Sequence, residues 1–356
     1  MTFIASAAFA LVLLADAGPA IQPGAASASS TRSCAPASIG GDSYCRLNSV
    51  RIHYVDHGGC GPVIILLAGL GSSARIFDDF APLLRQGHRV IAVTRRGYGQ
   101  SSDAIDGDYS NDALVGDIIQ LMDRLGIDRA SFVGHSLAGG ELAGLGLRQP
   151  DRVDRLVYLD AAYDRSAAPV LMAQMPPMPP PNVQALASHD NFSRWRRQSL
   201  GVDSAAVAAD VAQIMRVTPG GVVPRTSSAV AEAILAGDIA APPRWQDIMA
   251  PSLAIYSSKD VAEQVPPEAT PAQRAAFIDY SVRRLRPWML RQQADFLARR
   301  RCGAAIEAPN SGHHLFLERP EWLARRILSF LTTTTPCAST LDGGKAEASL
   351  SARRRR

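Results

Sequence analysis

The chain has 356 residues, enough for one large α/β domain carrying an insertion or for two modest domains. Apolar residues make up 47% and charged residues 20%, ordinary for a soluble globular enzyme. The net charge is +4, but Arg353 to Arg356 supply four positive charges at the very end, so the rest is close to neutral and offers no electrostatic footprint for a nucleic acid.

At the N-terminus, Ile4 to Ala15 is an uncharged run rich in Ala, Leu and Val. It is shorter than the about 20 residues that a membrane span needs, and it suits the apolar core of a signal peptide. Ala15-Asp16-Ala17 offers small residues for cleavage, so residues 1–17 read as a signal peptide and the protein as exported, periplasmic or extracellular, although Met1-Thr2-Phe3 lacks the usual basic residue. Residues 18–45 are small and polar and read as a flexible leader; residues 333–356 are similar in composition and read as a disordered basic tail. Five cysteines leave one over after pairing. In an oxidising compartment Cys34–Cys45 and Cys302–Cys337 are candidate disulfides, the connectivity being open. No pair has zinc-site spacing, and no metal is expected.

Strands and helices alternate between these ends. Val50 to Val55 has the period of a half-exposed strand, and Val63 to Leu67 is an apolar run suited to a strand buried on both faces. A helical pattern covers Ala74 to Leu84, and Val90 to Val93 is another buried strand, closed by Gly97 and Gly99. Asp112 to Leu125 is helical, Ser131 to Val133 a strand, Glu141 to Arg148 a helix, and Leu156 to Leu159 a strand ending in Asp160. This rhythm predicts a mostly parallel central sheet with helices on both faces. It breaks over residues 163–248, which hold Met175-Pro176-Pro177-Met178-Pro179-Pro180-Pro181 and helical patterns at Asn191 to Leu200 and Ala205 to Met215, a mainly helical cap insertion. The core, 46–162 and 249–332, resumes with a strand at Leu253 to Tyr256, a long helical region from Pro271 to Arg300, a strand at Ala304 to Glu307 and a helix from Pro320 to Leu331.

The chemistry centres on Gly134-His135-Ser136-Leu137-Ala138-Gly139-Gly140. A serine hydroxyl needs a base to take its proton as it attacks, and backbone N–H groups to hold the oxyanion that develops. A strand, a turn Gly-x-Ser-x-small and a helix present such a hydroxyl, and Ser136 has that context, with Ala138 where Gly is usual. His313, in Asn310-Ser311-Gly312-His313-His314, falls between the last strand and the last helix, where a base belongs. His135 and His314 are poorer candidates, one packed into the turn and the other offset by a residue.

Two further segments complete a pattern: Ala68-Gly69-Leu70-Gly71 and Arg96-Gly97-Tyr98-Gly99-Gln100-Ser101. With the Ser136 turn and Gly312-His313…Glu318-x-Pro320, they resemble, in the right order, the α/β-hydrolase family, in the serine branch with a cap, over residues 46 to 332. The resemblance implies an α/β-hydrolase fold, a Ser-His-Asp triad, and an oxyanion hole from the amides of Leu70 and Leu137. It implies neither metal nor organic cofactor. Most of the family places the acid after the seventh strand, which makes Asp260 in Ser257-Ser258-Lys259-Asp260 the first choice; some place it after the sixth, where Asp160 stands as the alternative. A serine at this position argues against the aspartate-dependent epoxide hydrolases and haloalkane dehalogenases. The expected activity is cleavage of a carboxylic ester or related acyl compound through an acyl-enzyme, on a small, hydrophobic substrate. Val170, Leu171, Met172, Met175 and Met178 supply either an apolar wall for it or the cap's own core.

Two other functions fit parts of the chain. Gly69-Leu70-Gly71-Ser72-Ser73-Ala74 between a strand and a helix is also the pattern of a dinucleotide site, with Arg95 and Arg96 as partners for a 2′-phosphate of NADP, which would make the protein an oxidoreductase. A non-catalytic binding protein on the same fold is the other. Oligomeric state is not encoded in any pattern found.

Overall fold

The computed structural model describes residues 39–259, 265 and 268–333. Three strands of the N-terminal half follow from its apolar runs: β2 (Arg51–Gly58), β3 (Val63–Leu67) and β4 (Arg89–Val93). Ahead of them lies β1 (Asp42–Arg46), inside the segment read as a leader. Its alternation places Ser43 and Cys45 inward, and it pairs antiparallel with β2 from Asp42–Val55 to Arg46–Arg51. The folded part therefore begins earlier than composition indicated, because small and polar residues suffice for an edge strand with one buried face.

Next come α1 (Ala81–Leu84), α2 (Asn111–Arg124), β5 (Ala130–His135), α3 (Ala138–Arg148) and β6 (Val153–Leu159). The expected helix over Ala74 to Leu84 is two pieces, a 3-10 turn at Ala74–Phe77 and α1, with Pro82 at the start of the second. The insertion then carries α4 (Ala168–Met172), α5 (His189–Leu200), α6 (Ala205–Ile214), an antiparallel hairpin of β7 (Met215–Thr218) and β8 (Gly221–Pro224), and α7 (Ser228–Ile239). The hairpin is a correction to an insertion read without strands; Met215 starts it rather than ending a helix.

The core resumes with β9 (Ser252–Ser257), α8 (Pro271–Tyr280), α9 (Arg286–Arg299), β10 (Gly303–Ala308), α10 (Leu315–Glu318) and α11 (Pro320–Thr332). The helical region expected to run on to Arg300 is interrupted by a π turn at Ser281–Leu285. Pro287 lies just beyond it and has no N–H to donate to the preceding turn, a local cause for leaving α geometry.

Among the described residues the eight-stranded sheet has the order β1-β2-β4-β3-β5-β6-β9-β10. The six strands from β4 to β10 run parallel, and β2 and β1 close one edge antiparallel. One apolar cluster contains Ile65, Phe132, Tyr158 and Trp245, and a second contains Leu66, Val133, Phe77 and Phe316. Adjacent residues of one strand enter different clusters, as period-two alternation requires of a sheet covered on both faces. Cys45 and Cys302, beside opposite edges of the sheet, are each disulfide-bonded, and Cys60 is an exposed free thiol. Cys34 and Cys337, their expected partners, lie outside the described residues, as do residues 1–38, which include the expected signal peptide, and the basic tail beyond 333.

Candidate active site

β5 runs into α3 through a turn at Ser136, whose φ of 59° is in the left-handed region, uncommon for a residue with a side chain. The strain is held by packing. A Cβ at Gly134 would stand 2.4 Å from Leu142, one at Gly139 would stand 1.9 Å from the carbonyl oxygen of Ala161, and one at Gly140 would stand 1.7 Å from Oδ1 of Asp238. Gly139 is therefore required by close approach to backbone, whereas Gly134 and Gly140 meet the ends of side chains; position 138, where Gly is usual, accommodates the methyl of a fully buried Ala138.

His313 follows β10, and its loop is anchored on both sides. The amides of Ser258 and Lys259 donate to the carbonyl of Ser311 at 2.9 and 3.0 Å, and the Gly312 amide donates to the Glu318 carboxylate at 3.0 Å. The imidazole that results is placed between two partners. Nε2 lies 2.9 Å from Ser136 Oγ and Nδ1 lies 2.8 Å from Asp160 Oδ2. All three side chains are almost fully buried.

The carboxylate on His313 is thus that of Asp160, at the end of β6, in the left-handed region at φ 46°. Asp260, the first choice from sequence, lies outside the described residues. Asp160 also accepts from the Tyr163 hydroxyl at 2.5 Å and the Ser257 hydroxyl at 3.1 Å. Burial alone would raise its pKa, but the hydrogen bonds from His313 and Tyr163 outweigh this and hold it below the ordinary carboxylate value. Burial pushes His313 below its ordinary 6.5 despite the pull of Asp160, so the imidazole is neutral near pH 7 and free to accept a proton.

His135 and His314 have other roles. His135 Nε2 lies 3.0 Å from the His313 carbonyl oxygen and donates to it, its ring packed against His313 and Phe316. His314 precedes α10, and the Leu317 amide bonds its carbonyl. The loop after β3 abuts the serine: a Cβ on Gly69 would stand 2.9 Å from the Cβ of Ser136. Among the described residues, the amides of Leu70 and Leu137 have no hydrogen-bond partner.

Arginines 95 and 96 are not available to a 2′-phosphate. Arg95 pairs with Glu141, with Nε to Oε1 at 2.9 Å, and Arg96 with Asp117 through Nε at 2.6 Å and Nη2 at 2.7 Å. The Arg-Gly-x-Gly-x-Ser turn is a structural brace: Ser101 Oγ donates to the Thr94 carbonyl at 2.7 Å and accepts from the His53 amide at 2.9 Å. Sequence reasoning missed the ties made by the insertion. Asp210, wholly buried on α6, accepts from the amide and hydroxyl of Ser73 at 2.6 and 2.7 Å and pairs with Arg196 at 3.0 Å. Arg165 donates to the carbonyl of Ser136 and pairs with Asp238 on α7. Of the apolar residues named for the insertion, Leu171, Met172, Met175 and Met178 pack on the core cluster and Val170 is exposed. A different apolar cluster brings together the side chains of Leu70, Tyr98, Leu137, Val230 and Ile234.

A mostly parallel sheet with a serine at a strained strand–helix turn, a histidine after the last strand and a carboxylate at a neighbouring strand end defines an α/β-fold hydrolase. A family profile described as "Alpha/beta hydrolase family" matches residues 64–326, and the chain belongs to that family. Among relatives, the "Putative carbamate hydrolase RutD" of Variovorax paradoxus is 38% identical over 112 residues, 31% of this chain and 42% of that protein. "Bifunctional epoxide hydrolase 2" of Mus musculus is 33% identical over 116 residues, 32% of this chain and 21% of that protein. The chain thus aligns with less than half the length of these relatives. Solved structures share the fold across much more of the chain. E-2-(acetamidomethylene)succinate hydrolase superposes with a TM-score of 0.59 at 18% identity, over 80% of this chain and 96% of the other. The enol-lactonase of Burkholderia xenovorans LB400 does so at 0.53 and 21%, over 82% and 100%. Among the described residues no helix is long and apolar enough to cross a membrane and no cluster suits a metal ion.

Proposed function

We propose that this protein hydrolyses a carboxylic ester, or a related acyl compound such as a lactone or carbamate, with a hydrophobic group beside the carbonyl. The observation that carries this is the unbroken hydrogen-bonded line from Ser136 Oγ through His313 to Asp160, at 2.9 and 2.8 Å. In the reaction Ser136 Oγ bonds to the carbonyl carbon while His313 Nε2 takes its proton, and Asp160 stabilises the imidazolium. The developing oxyanion is met by the amides of Leu70 and Leu137. Collapse breaks the bond to the leaving alcohol or amine, which receives the proton from His313. Water, activated by the same imidazole, then frees the acid and restores Ser136. The names of a relative, a putative carbamate hydrolase, and of a protein of similar fold, an enol-lactonase, suit this chemistry, while another relative is named an epoxide hydrolase. The apolar cluster that includes the side chains of Leu70 and Leu137 favours a hydrophobic acyl or alcohol portion.

The test is a p-nitrophenyl ester series of increasing acyl length, with labelling by a fluorophosphonate. Wild type is expected to turn over these esters and to be labelled at Ser136, and Ser136→Ala to lose both. Undiminished turnover in Ser136→Ala would overturn the proposal.

A further inference from the structure

Two buried arginines grip the backbone on the far side of the two peptide units assigned to the oxyanion. Arg95, at the end of β4, donates from Nη2 to the Ala68 carbonyl at 2.9 Å and from Nη1 to the Gly69 carbonyl at 3.4 Å. Arg165, at the start of the insertion, donates from Nη2 to the Ser136 carbonyl at 2.5 Å and to the Ala161 carbonyl at 3.4 Å. The Gly69 oxygen belongs to the same peptide unit as the Leu70 N–H, and the Ser136 oxygen to the same unit as the Leu137 N–H. The described backbone has no cis peptide bond, and in a planar trans peptide the C=O and N–H point in opposite directions. An arginine holding the oxygen therefore sets the direction of the amide. Each guanidinium also draws on the carbonyl oxygen, which strengthens the opposite N–H as a donor.

We infer that Arg95 and Arg165 are positioning residues of the oxyanion hole, each clamping one of its two peptide units from behind. The inference rests on the function proposed above. Each clamp is balanced by its own buried carboxylate. Glu141, in the first turn of α3, holds Arg95, and Asp238 on α7 holds Arg165 at 3.3 Å. Gly139 and Gly140, which the pentapeptide motif does not demand, acquire a reason. One lets the Ala161 carbonyl approach, and the other lets the Asp238 carboxylate approach. The Ser136 oxygen is also bonded by the Gly139 amide at 3.0 Å, so α3 and Arg165 hold the same atom.

The test uses the full chain and removes each charge pair together, so that no uncompensated charge stays buried: Arg165→Met with Asp238→Asn, and Arg95→Met with Glu141→Gln. Folding is followed by circular dichroism, turnover by a p-nitrophenyl ester, and oxyanion binding by a boronic acid, which forms a tetrahedral adduct on the serine. Losing one oxyanion donor outright costs about a hundred- to a thousandfold in kcat, so a loosened one is expected to cost about ten- to a hundredfold. KM is expected to change little, and the boronic acid to bind more weakly by a factor like that in kcat, which a purely structural role would not produce. Folded double variants with wild-type kcat and boronic acid affinity would overturn the inference. Should a double variant not fold, Arg165→Lys keeps the charge but has one nitrogen for both Asp238 and the Ser136 carbonyl. A fall in kcat of about three- to tenfold is expected of it, and unchanged kcat and boronic acid affinity would again overturn the inference. Ser136→Ala separates the two claims: activity in that variant defeats the proposed function, whereas an inactive Ser136→Ala beside fully active arginine variants defeats only the clamp.

Discussion

Asp160→Asn is the perturbation that bears most directly on how the site is assembled. Asparagine has the same shape and tolerates the left-handed conformation that Asp160 adopts at φ 46°, so the turn is expected to survive. What changes is the hydrogen-bond polarity. Oδ1 of Asp160 faces two donors, the Tyr163 hydroxyl at 2.5 Å and the Ser257 amide at 3.5 Å, whereas Oδ2 faces His313 at 2.8 Å and the Ser257 hydroxyl, which can also accept. The asparagine oxygen belongs at Oδ1, which turns its NH2 toward His313 Nδ1. That nitrogen must then accept, so the proton moves to Nε2, where it faces Ser136 Oγ and blocks base catalysis. Swapping the acid for its amide in a serine triad can cost about ten-thousandfold in kcat, so a loss of about a thousand- to ten-thousandfold is expected, about 4 to 5.5 kcal/mol of transition-state stabilisation. The assay is p-nitrophenyl ester hydrolysis at neutral pH, with thermal unfolding as a control, beside Asp260→Asn, which is expected to keep kcat near wild type. An Asp160→Asn enzyme retaining more than about a tenth of wild-type kcat, or an inactive Asp260→Asn enzyme, would refute the reasoning.

Burial depresses His313 below 6.5, so the base stays neutral at and somewhat below that pH. The acid limb of kcat/KM is therefore expected to have its midpoint below 6.5, activity falling as the pH drops through the folded-state pKa; a midpoint above 6.5 would contradict it. Gly139→Ala puts a methyl carbon 1.9 Å from a backbone oxygen, which no side-chain movement relieves, and is expected to destabilise by about 1–3 kcal/mol in denaturant unfolding. An unchanged midpoint would show that the turn is more plastic than its packing indicates. We propose export from the Ile4 to Ala15 run, with which disulfide-bonded Cys45 and Cys302 agree, and the mature protein is then expected to begin after Ala17. N-terminal sequencing that finds Met1 on protein from outside the cytoplasm would refute this cleavage.

The line from Ser136 to His313 was legible because each residue sits where a change of periodicity marks a strand ending, and the small residues around Ser136 mark a sharp turn. The acid was not legible in the same way. β6 and β9 are neighbouring parallel strands that end at the same lip of the sheet, so either Asp160 or Asp260 satisfies the pattern, and only the fold says which side chain meets His313. The hairpin in the insertion had a signal, Pro219-Gly220-Gly221 between Met215-Arg216-Val217 and Val222-Val223, but its strands are only four residues each and partly exposed. Arg165, Asp210 and Asp238 were invisible for a different reason. In sequence a buried charge looks like a surface one, and its partner here lies as far away as Ser73 does from Asp210.

The ties between insertion and core bear on how such enzymes diversify. Asp210 holds the loop after β3, and Asp238 holds the arginine behind Ser136, so residues 163–248 are not an exchangeable module. A chimera carrying another relative's insertion would import a new ceiling and lose two of the posts that hold up the floor. On the same helix as Asp238, Val230 and Ile234 pack with Leu70 and Leu137 without any charged tie to the core, so apolar substitutions there are expected to leave both posts standing.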